Sequence, residues 1–508
     1  MSKINAVKAS VEIVDPNLDP TTKVANMARI CYRSESAAGP EADKRLIGNC
    51  IKKGHTSVME HSHMSVVFSD EVKKMQDLLP DWATEDMEEA VKNKPIDVFT
   101  LWTSVNSLDV RRYLFVWKDD GLIIDKLDPE WRKNNPNTFA SVDVVCGNLR
   151  AWLNIESDVF DAAIISNEVV LVGMIASLIK ASLDAYPSVF CNLVDAINAR
   201  LPKIIIEDSK LGKKLGDKLA TVTFDDIYEL CGGSKHNVVA APSTNRVALS
   251  AVLTTERAVT HELVRHRADA SYSQESQRWV NYNNKGFTFI RPSLDPVKYE
   301  KAEFSVDSAE LLPGVGVLKS KLEDGGYIPK DTAMYKFWER KMEDVVSTYE
   351  IFSQFDINGE EKLFGSVPPE FCRGCLPNWS ATTIGVTFTP QNFTNLMHWR
   401  LGADAYWPIR NLLGTMIVDA LKQDHPFFSN FHPVVILRWL KKIEEQKICT
   451  DKELLEKLMK AQDERLTSIR KRREERAAAA AKQAEEFERA TGRVEQKVAE
   501  AAKAMTAQ

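Results

Sequence analysis

Apolar residues recur at every second position in the stretch that follows residue 62. Met64, Val66 and Phe68 form this alternation, which is the spacing of a half-buried β-strand. A helix is predicted before the strand, over about 43–53, with Gly54 as its C-cap. This part of the chain is therefore expected to run from a helix through a glycine turn into a strand.

A second strand and helix are predicted near the middle of the chain. The apolar run 247–253 is typical of a strand. The helix that follows, over about 255–266, carries Val259 and Leu263 four positions apart on its buried face. The basic residues 265–267 are thus expected at the C-terminal end of this helix.

Two further helices and a charged tail are predicted towards the C-terminus. Thr389 and Pro390 form an N-cap and N1 pair that is expected to start a helix reaching Arg400. A second helix is indicated by apolar residues at helical spacing, namely Ile409, Leu413, Met416 and Ala420. From about residue 446 the chain is charged and rich in alanine, so we expect a solvated helix or a partly disordered tail.

Composition narrows the class of protein. The 508 residues are 44% hydrophobic and 27% charged, as in soluble globular proteins, and the length suggests about three domains or one domain with insertions. The formal net charge of −6 argues against binding of polymeric nucleic acid. The N-terminus lacks a signal-peptide core, and the longest apolar run, 169–179, is too short to span a bilayer. We therefore expect a cytoplasmic protein without a membrane segment.

The cysteines do not form a disulfide framework. Eight of them are scattered along the chain, which fits a reducing compartment. Cys372 and Cys375 form a lone CxxC, which could be redox-active or half of a zinc site completed by Cys231 and His236. One pair without a second at fixed spacing is weak evidence, so no metal site is predicted here.

A group of histidines near residue 60 also contains metal-binding side chain types. It consists of His55, Glu60, His61 and His63. The structural interpretation is favoured, in which His61 and His63 alternate with apolar strand residues and His55 lies in the turn led by Gly54. We expect no metal ion at this group.

One segment between residues 255 and 282 concentrates basic and polar side chains. It contains Arg265, His266, Arg267, Gln274, Ser276 and Arg278. Guanidinium groups present a planar set of donors that matches phosphate and carboxylate oxygens, so the segment is interpreted as an anion site for a phosphorylated ligand. In an extended chain Gln274, Ser276 and Arg278 would share one face, because side chains repeat every second residue.

The sequence contains none of the common glycine-rich phosphate loops. Neither a P-loop nor a GxGxxG after a strand occurs, so phosphate binding is assigned to side chains. No GxSxG elbow occurs, and no cysteine stands in the setting of a nucleophile. This pattern favours chemistry carried by a cofactor, with the protein supplying position and charge.

The anion segment resembles the signature of flavin-dependent thymidylate synthases. In that signature RHR is followed, after eight residues, by Ser276 and Arg278. Three other stretches resemble family segments and occur in family order: Gly54–His61 (GHTSVMEH), Cys372–Asn378 (CRGCLPN) and Asn395–Arg410. The resemblance implies an α/β (α+β) fold, with a mostly antiparallel sheet flanked by helices.

The resemblance also implies a role for each matching residue. The FAD-binding residues would be His55, Ser57, Arg265, His266, Arg267, Thr389, Gln391 and Asn395. The dUMP-binding residues would be Glu262, Arg265, Gln274, Ser276, Arg278, Arg373 and Arg400. Arg400 would act as the catalytic residue beside the uracil ring, because a fixed guanidinium stabilises negative charge that develops there. Ser276 would donate a hydrogen bond to the nucleotide, since no adjacent base activates it as a nucleophile.

The implied reaction converts dUMP to dTMP by reductive methylation. FAD would be the cofactor, and NADPH and 5,10-methylenetetrahydrofolate would be co-substrates. The implied assembly is a homotetramer with active sites shared between subunits. Two alternatives remain open: a related flavoenzyme that modifies another pyrimidine nucleotide, and a degenerate nucleotide-binding or assembly protein on the same fold.

Four positions depart from the family pattern. Glu262 stands where many members have glutamine, which exchanges an amide donor for an acceptor and bears on the choice of base. Cys31 replaces a frequent serine. Thr389 with Gln391 replaces the more usual Asn-x-Arg near the flavin.

The chain is expected to contain a discontinuous catalytic domain. Residues 1–70 and 243–445 would form it, 71–242 would be an inserted, mainly helical domain, and 446–508 a charged helical tail. Within the insert, GNLRAW and YPSVF resemble NFTNLMHW and HPFFSNF of the second half. The insert is either a decayed duplicate, or the similarity is local to amphipathic helices, which we favour slightly.

Overall fold

The computed structural model describes most of the chain. The described residues are 4–34, 38–68, 114–118, 143–235, 238–243, 247–267, 270–306, 318–354, 367–475, 477–478 and 482. The chain divides into two compact units, Met1–Phe428 and Ser429–Gln508.

The first unit contains the β-strands and most of the helices. The strands are β1 (Asn5–Val7), β2 (Ser10–Ile13), β3 (His63–Phe68), β4 (Leu114–Lys118), β5 (Asp143–Asn148), β6 (Val238–Pro242), β7 (Leu249–Glu256), β8 (Ala270–Gln274), β9 (Thr288–Ile290), β10 (Phe304–Ser305), β11 (Lys319–Ser320) and β12 (Ala381–Phe388). The helices are α1 (Pro20–Ile30), α2 (Pro40–Lys52), α3 (Leu149–Ser166), α4 (Val169–Ala185), α5 (Pro187–Ile204), α6 (Lys210–Leu215), α7 (Phe224–Leu230), α8 (Arg257–Leu263), α9 (Tyr282–Lys285), α10 (Ala333–Gln354), α11 (Pro369–Cys372), α12 (Pro390–Arg400) and α13 (Trp407–Lys422).

A four-stranded antiparallel sheet, in the order β2-β7-β12-β8, brings distant parts of the sequence together. Leu253 of β7 pairs with Ile384 of β12, and both side chains are fully buried. Val386 of β12 pairs with Tyr272 of β8. The segments that carry the anion residues therefore lie side by side on one rigid surface.

A second four-stranded antiparallel sheet, in the order β4-β5-β3-β6, joins the insert to the first segment. The strand predicted from the alternation is confirmed as β3, but it is not half-buried, since Met64, Ser65 and Val66 are all fully buried. The indole nitrogen of Trp152 in α3 donates to the carbonyl oxygen of Met64 at 3.0 Å. Trp152 also belongs to one apolar cluster with Ile47 of α2 and Phe190 of α5. The insert thus contributes strands as well as helices, and it shares a core with residues 4–68.

The mixed architecture of helices and antiparallel sheets expected from the sequence is confirmed. The helix predicted over about 43–53 is α2, which begins earlier, at Pro40, because proline is well suited to the first helical turn. Gly54 follows the helix with φ +72°, as a glycine beyond a C-cap does. The helix predicted over about 255–266 is shorter than expected, because β7 pairs with β12 as far as Glu256.

The two helices predicted after β12 are confirmed. The side chain of Thr389 accepts a hydrogen bond from the backbone N–H of Asn392 at 3.4 Å, and α12 ends at Arg400. The apolar residues that predicted α13 are all fully buried: Ile409, Leu413, Met416 and Ala420. Helix capping and helical periodicity involve residues that are close together in the sequence, so both can be predicted from the sequence directly.

The two similar stretches of the insert and the second half share an order of elements. β5, α3, α4 and α5 follow one another as β12, α12, α13 and the next helical turn do. The quoted motifs nevertheless fall at different places, since GNLRAW spans the end of β5 and the start of α3, whereas NLMHW ends α12. Aligning GNLRAW with NFTNLMHW therefore does not match residues at equivalent positions of α3 and α12.

The second unit is helical. It contains α14 (Pro433–Glu445) and a helical stretch over 452–475 with mostly exposed side chains. The predicted charged helix is thus present as far as residue 475. Across the described residues, no helix is both long and apolar enough to cross a membrane.

Candidate functional site

The RHR turn follows directly on α8. The helix ends at Leu263, and the chain then turns through Arg265, His266 and Arg267, as the sequence predicted. The hydroxyl of Tyr272 lies 2.8 Å from the carbonyl oxygens of both Leu263 and His266. These contacts fix the turn against β8. The side chains of Arg265 and Arg267 are exposed, so both guanidinium groups are accessible to a ligand.

Arg400 is held by two residues of the α8 segment. Its Nη1 atom donates to Glu262 Oε2 at 2.7 Å, and its Nε atom donates to His266 Nε2 at 3.0 Å. Burial lowers the pKa of His266, and the charge of Arg400 lowers it further against the opposing effect of Glu262. The neutral imidazole can therefore accept the hydrogen bond, and Arg400 is fixed in direction by both contacts.

Residues 274–278 do not form a single extended face, and that expectation is wrong. β8 ends at Gln274, and the backbone N–H of Ser276 donates to the carbonyl oxygen of Cys31 at 3.0 Å. A turn then occupies 277–279. The buried Glu275 explains the change of direction, because its carboxylate is fixed by Arg33 and by the hydroxyl of Tyr282.

Gln274 points towards the sheet. Its amide nitrogen donates to the hydroxyl oxygens of Thr260 at 3.0 Å and Thr382 at 3.2 Å. Its side chain is half-buried. The amide is thereby oriented by one residue of α8 and one residue of β12.

Arg278 and Arg373 converge on one carboxylate. Glu370 Oε1 lies 2.8 Å from Nε of Arg278 and 3.9 Å from Nη2 of Arg373. All three side chains are exposed or half-exposed, at 55%, 38% and 51% for Arg278, Arg373 and Glu370. Two guanidinium groups that share one anionic group form a site suited to a phosphate. The structure thus brings together Arg278 and Arg373, two predicted dUMP-binding residues that lie far apart in sequence.

The 56–61 turn, a short 3₁₀ helix over Thr56–His61, connects the first segment to the anion segment. The two ring nitrogens of the fully buried His61 lie 2.9 Å from the hydroxyls of Thr387 and Ser273. Burial lowers the pKa of His61 to about 3, so the ring is neutral. His61 ends the turn, and the expectation that it alternates within the strand is wrong; only His63 lies in β3.

The remaining predicted FAD residues have different surroundings. His55 and Ser57 are exposed at the start of the 56–61 turn, and Gln391 and Asn395 are exposed on α12. Thr389 is buried, because its side chain caps α12. These four exposed side chains are accessible to a ligand, whereas the side chain of Thr389 caps the N-terminus of α12.

Two residues that the sequence interpretation did not single out belong to these clusters. Glu370 pairs with Arg278 and Arg373, the two arginines predicted to bind dUMP. The sequence showed only that Glu370 lies three residues before Arg373. Arg150 of the insert donates to Glu60 of the 56–61 turn at 2.5 Å. No local pattern indicates a pair separated by 90 residues.

The cysteines form no disulfide bonds. All eight, each within the described residues, are free thiols. Burial raises the pKa of Cys31 and of Cys375. Among the described residues no group of three or more histidine, cysteine or acidic side chains could hold a metal ion, and His236 lies outside them.

The comparison with protein families finds one profile that matches two parts of the chain. The sequence profile described as "Thymidylate synthase complementing protein" matches residues 12–71 and 245–427. These two segments are just under half of the chain, and over them the chain is similar to the flavin-dependent thymidylate synthase family. The segments contain the 56–61 turn, the RHR turn, Glu370 and Arg400, and the insert lies between them.

Two curated relatives are named flavin-dependent thymidylate synthase. The protein of Pyrococcus furiosus is 26% identical over 187 residues, which are 36% of this chain and 56% of the relative. The protein of Geobacter sulfurreducens is 26% identical over 222 residues, which are 44% of this chain and 74% of the relative. The chain thus spans about half the length of the first of these family members.

One solved structure is a UMP/dUMP methylase PolB from Streptomyces cacaoi bound with 5-Br dUMP. It is 17% identical, with a TM-score of 0.24, over 36% of this chain and 71% of that chain. A similarity this low carries no argument about the fold or the site.

Proposed function

We propose that the protein is a methyltransferase that converts dUMP to dTMP, with FAD as cofactor and NADPH and 5,10-methylenetetrahydrofolate as co-substrates. The observation that carries the proposal is the position of Arg400. Its guanidinium is fixed by Glu262 and His266 beside the RHR turn, in a chain that is similar to flavin-dependent thymidylate synthases over two segments.

The exposed donor set fits a flavin dinucleotide. Arg265 and Arg267 present guanidinium groups to solvent, and such groups match the oxygens of a diphosphate. His55, Ser57 and Asn395 would add polar contacts around it. Bound FAD would supply the hydride chemistry. The protein's own contribution is the anchoring of the RHR turn by Tyr272.

The nucleotide phosphate would take the place of the Glu370 carboxylate between Arg278 and Arg373. Gln274, held by two threonine hydroxyls, and Ser276 would then contact the nucleoside. These assignments follow the convergence of both arginines on a single anionic group. The phosphate carries more negative charge than a carboxylate, so it would compete well for this position.

Arg400 would stabilise the negative charge that develops on the uracil ring as C5 becomes nucleophilic. An oriented guanidinium costs little reorganisation when the charge appears, and such donors typically contribute on the order of 10²–10³ in rate. Glu262 and His266 would act as its positioning residues. The pKa of the Cys31 thiol is raised, so little thiolate forms at neutral pH. Cys31 is therefore not proposed as a nucleophile.

A related activity on another pyrimidine nucleotide is the second candidate, and Glu262 is the observation that favours it. Its carboxylate is an acceptor where an amide would also donate, and one of its oxygens is bound to Arg400. A base with an exocyclic amino group would offer a donor to such a carboxylate. Comparison of dUMP with dCMP as substrates of the purified protein tests this choice.

One assay tests the main proposal. The purified full-length chain is expected to bind FAD, to oxidise NADPH only when dUMP is present, and to form dTMP with methylenetetrahydrofolate. A protein that cannot take up FAD would rule out both candidates. FAD binding with NADPH oxidation but without dTMP would favour the second. Light scattering tests the proposed homotetramer with shared sites.

A further inference from the structure

We propose that the insert takes part in the cofactor site through Arg150, which acts as a positioning residue by neutralising Glu60. This inference rests on the proposed binding of FAD. The family profile does not cover residue 150, and the contact that carries the inference exists only in the folded chain.

Arg150 belongs to the first turn of α3, and its Nη1 atom lies 2.5 Å from Oε1 of Glu60. The two side chains are partly exposed, at 42% and 25%. The carbonyl oxygen of Glu60 accepts a hydrogen bond from Ser271 of β8 at 2.8 Å. The insert is therefore linked to the 56–61 turn, and the turn is linked to the strand that follows the RHR turn.

The residue of α12 that corresponds to Arg150 of α3 carries no charge. Asn148 caps α3 by accepting from the N–H of Ala151 at 2.9 Å, as Thr389 caps α12 after β12. When the two caps are aligned, Arg150 corresponds to the neutral Gln391, and the buried Trp152 corresponds to the buried Phe393.

The same alignment places Val159 of α3 at the position of Arg400. Val159 is buried, with 1% exposure, so α3 offers no second catalytic guanidinium. The insert thus contributes a positive charge to the turn of the candidate site, and not a copy of its chemistry.

The physical consequence concerns the charge of Glu60. Its carboxylate lies in the turn whose first residues, His55 and Ser57, are proposed to contact FAD. An unpaired carboxylate there would repel the diphosphate of the cofactor and would lack its hydrogen-bonding cation. Arg150 removes both effects, so its loss should weaken FAD binding through Glu60.

The test compares two arginines of the insert in the full-length protein. Arg150→Gln removes the pair with Glu60. Arg200→Gln is the matched control, because Arg200 pairs with Asp161 at 2.8 Å within the insert. Flavin fluorescence gives the FAD dissociation constant, and thermal melting without FAD reports folding. We expect Arg150→Gln to weaken FAD binding roughly tenfold, as the loss of one charged hydrogen bond does, and Arg200→Gln to leave it within about twofold.

Two further variants separate a charge effect from a packing effect. Glu60→Gln combined with Arg150→Gln is expected to restore FAD affinity, since the unpaired charge is gone. Arg150→Lys should keep it. If Arg150→Gln binds FAD like the control, or if the double variant is not rescued, the inference is overturned. Wild-type protein that does not bind FAD at all would instead overturn the proposed function.

Discussion

The Nε atom of Arg400 donates a hydrogen bond to Nε2 of His266, 3.0 Å away and 134 residues earlier in the chain. This contact requires an imidazole that is unprotonated at Nε2. Protonation would remove the acceptor and place two positive charges side by side. The orientation of the proposed catalytic guanidinium therefore depends on pH.

The first prediction concerns acid inactivation. The folded-state pKa of His266 is lowered by burial, so the unfolded chain binds the proton first, at about pH 6.5. Stability linked to His266 is thus complete above that pH and is lost as the pH falls towards the lowered folded pKa. With saturating FAD, kcat/KM for dTMP formation should stay level through the ordinary histidine pKa of about 6.5 and decline only at lower pH, where the folded imidazole takes up its proton. In His266→Gln, whose amide oxygen accepts without titrating, the acid limb should become shallower; an unchanged limb would assign it to another group.

The second prediction separates catalysis from cofactor binding. Arg400→Ala should lower kcat for dTMP formation by about 100-fold or more, because the developing charge on the ring loses its donor. FAD should remain bound, as the proposed FAD residues Arg265 and Arg267 are untouched. Absorbance of the bound flavin and single-turnover product analysis measure the two effects. Loss of flavin from this variant would show that Arg400 has a different role.

The third prediction concerns Glu370 as an internal competitor for the phosphate position. Glu370→Gln should lower KM for dUMP by about 2- to 5-fold, the range expected for an exposed ion pair. Arg278→Gln should raise KM instead. Glu339→Gln serves as the control, because Glu339 pairs with Lys336 on α10. A KM for the Glu370 variant at or above that of the control would contradict competition.

The fourth prediction concerns the buried Glu156 of α3. Burial raises its pKa to about 8, and Ser182 donates to its Oε1 at 2.6 Å. The folded state therefore keeps the proton that the unfolded chain releases near pH 4.3. Stability should fall as the pH rises from about 4 to 8, where the unfolded state binds fewer protons.

Glu156→Gln removes this titration while keeping an acceptor for Ser182. Thermal melting should show the variant stabilised relative to wild type at pH 8 and nearly unchanged at pH 5. Asp184→Asn, at an exposed position of α4 two residues after Ser182, is the comparison. Equal gains at both values of pH would mean that Glu156 is charged in the folded protein or that packing dominates.

The elements that the sequence predicted well depend on local interactions. The start of α12 follows from Thr389 and Pro390, and the buried face of α13 follows from a helical period. The start of α8 was predicted too early, at about residue 255, since the pairing of Glu256 with Ala381 extends β7 at the expense of the helix. Tertiary pairing overrides local propensity there.

The sequence by itself determined the resemblance to flavin-dependent thymidylate synthases, the concentration of basic side chains in residues 265–278 and the main helices, because motifs and periodicity are written along the chain. The roles assigned to individual site residues stay predictions. Only the tertiary structure decided which side chains meet: Arg400 with His266, Arg278 with Glu370, and Arg150 with Glu60. These contacts depend on strand pairings between segments that are far apart in sequence. A local sequence pattern does not indicate which distant residues the sheets bring together.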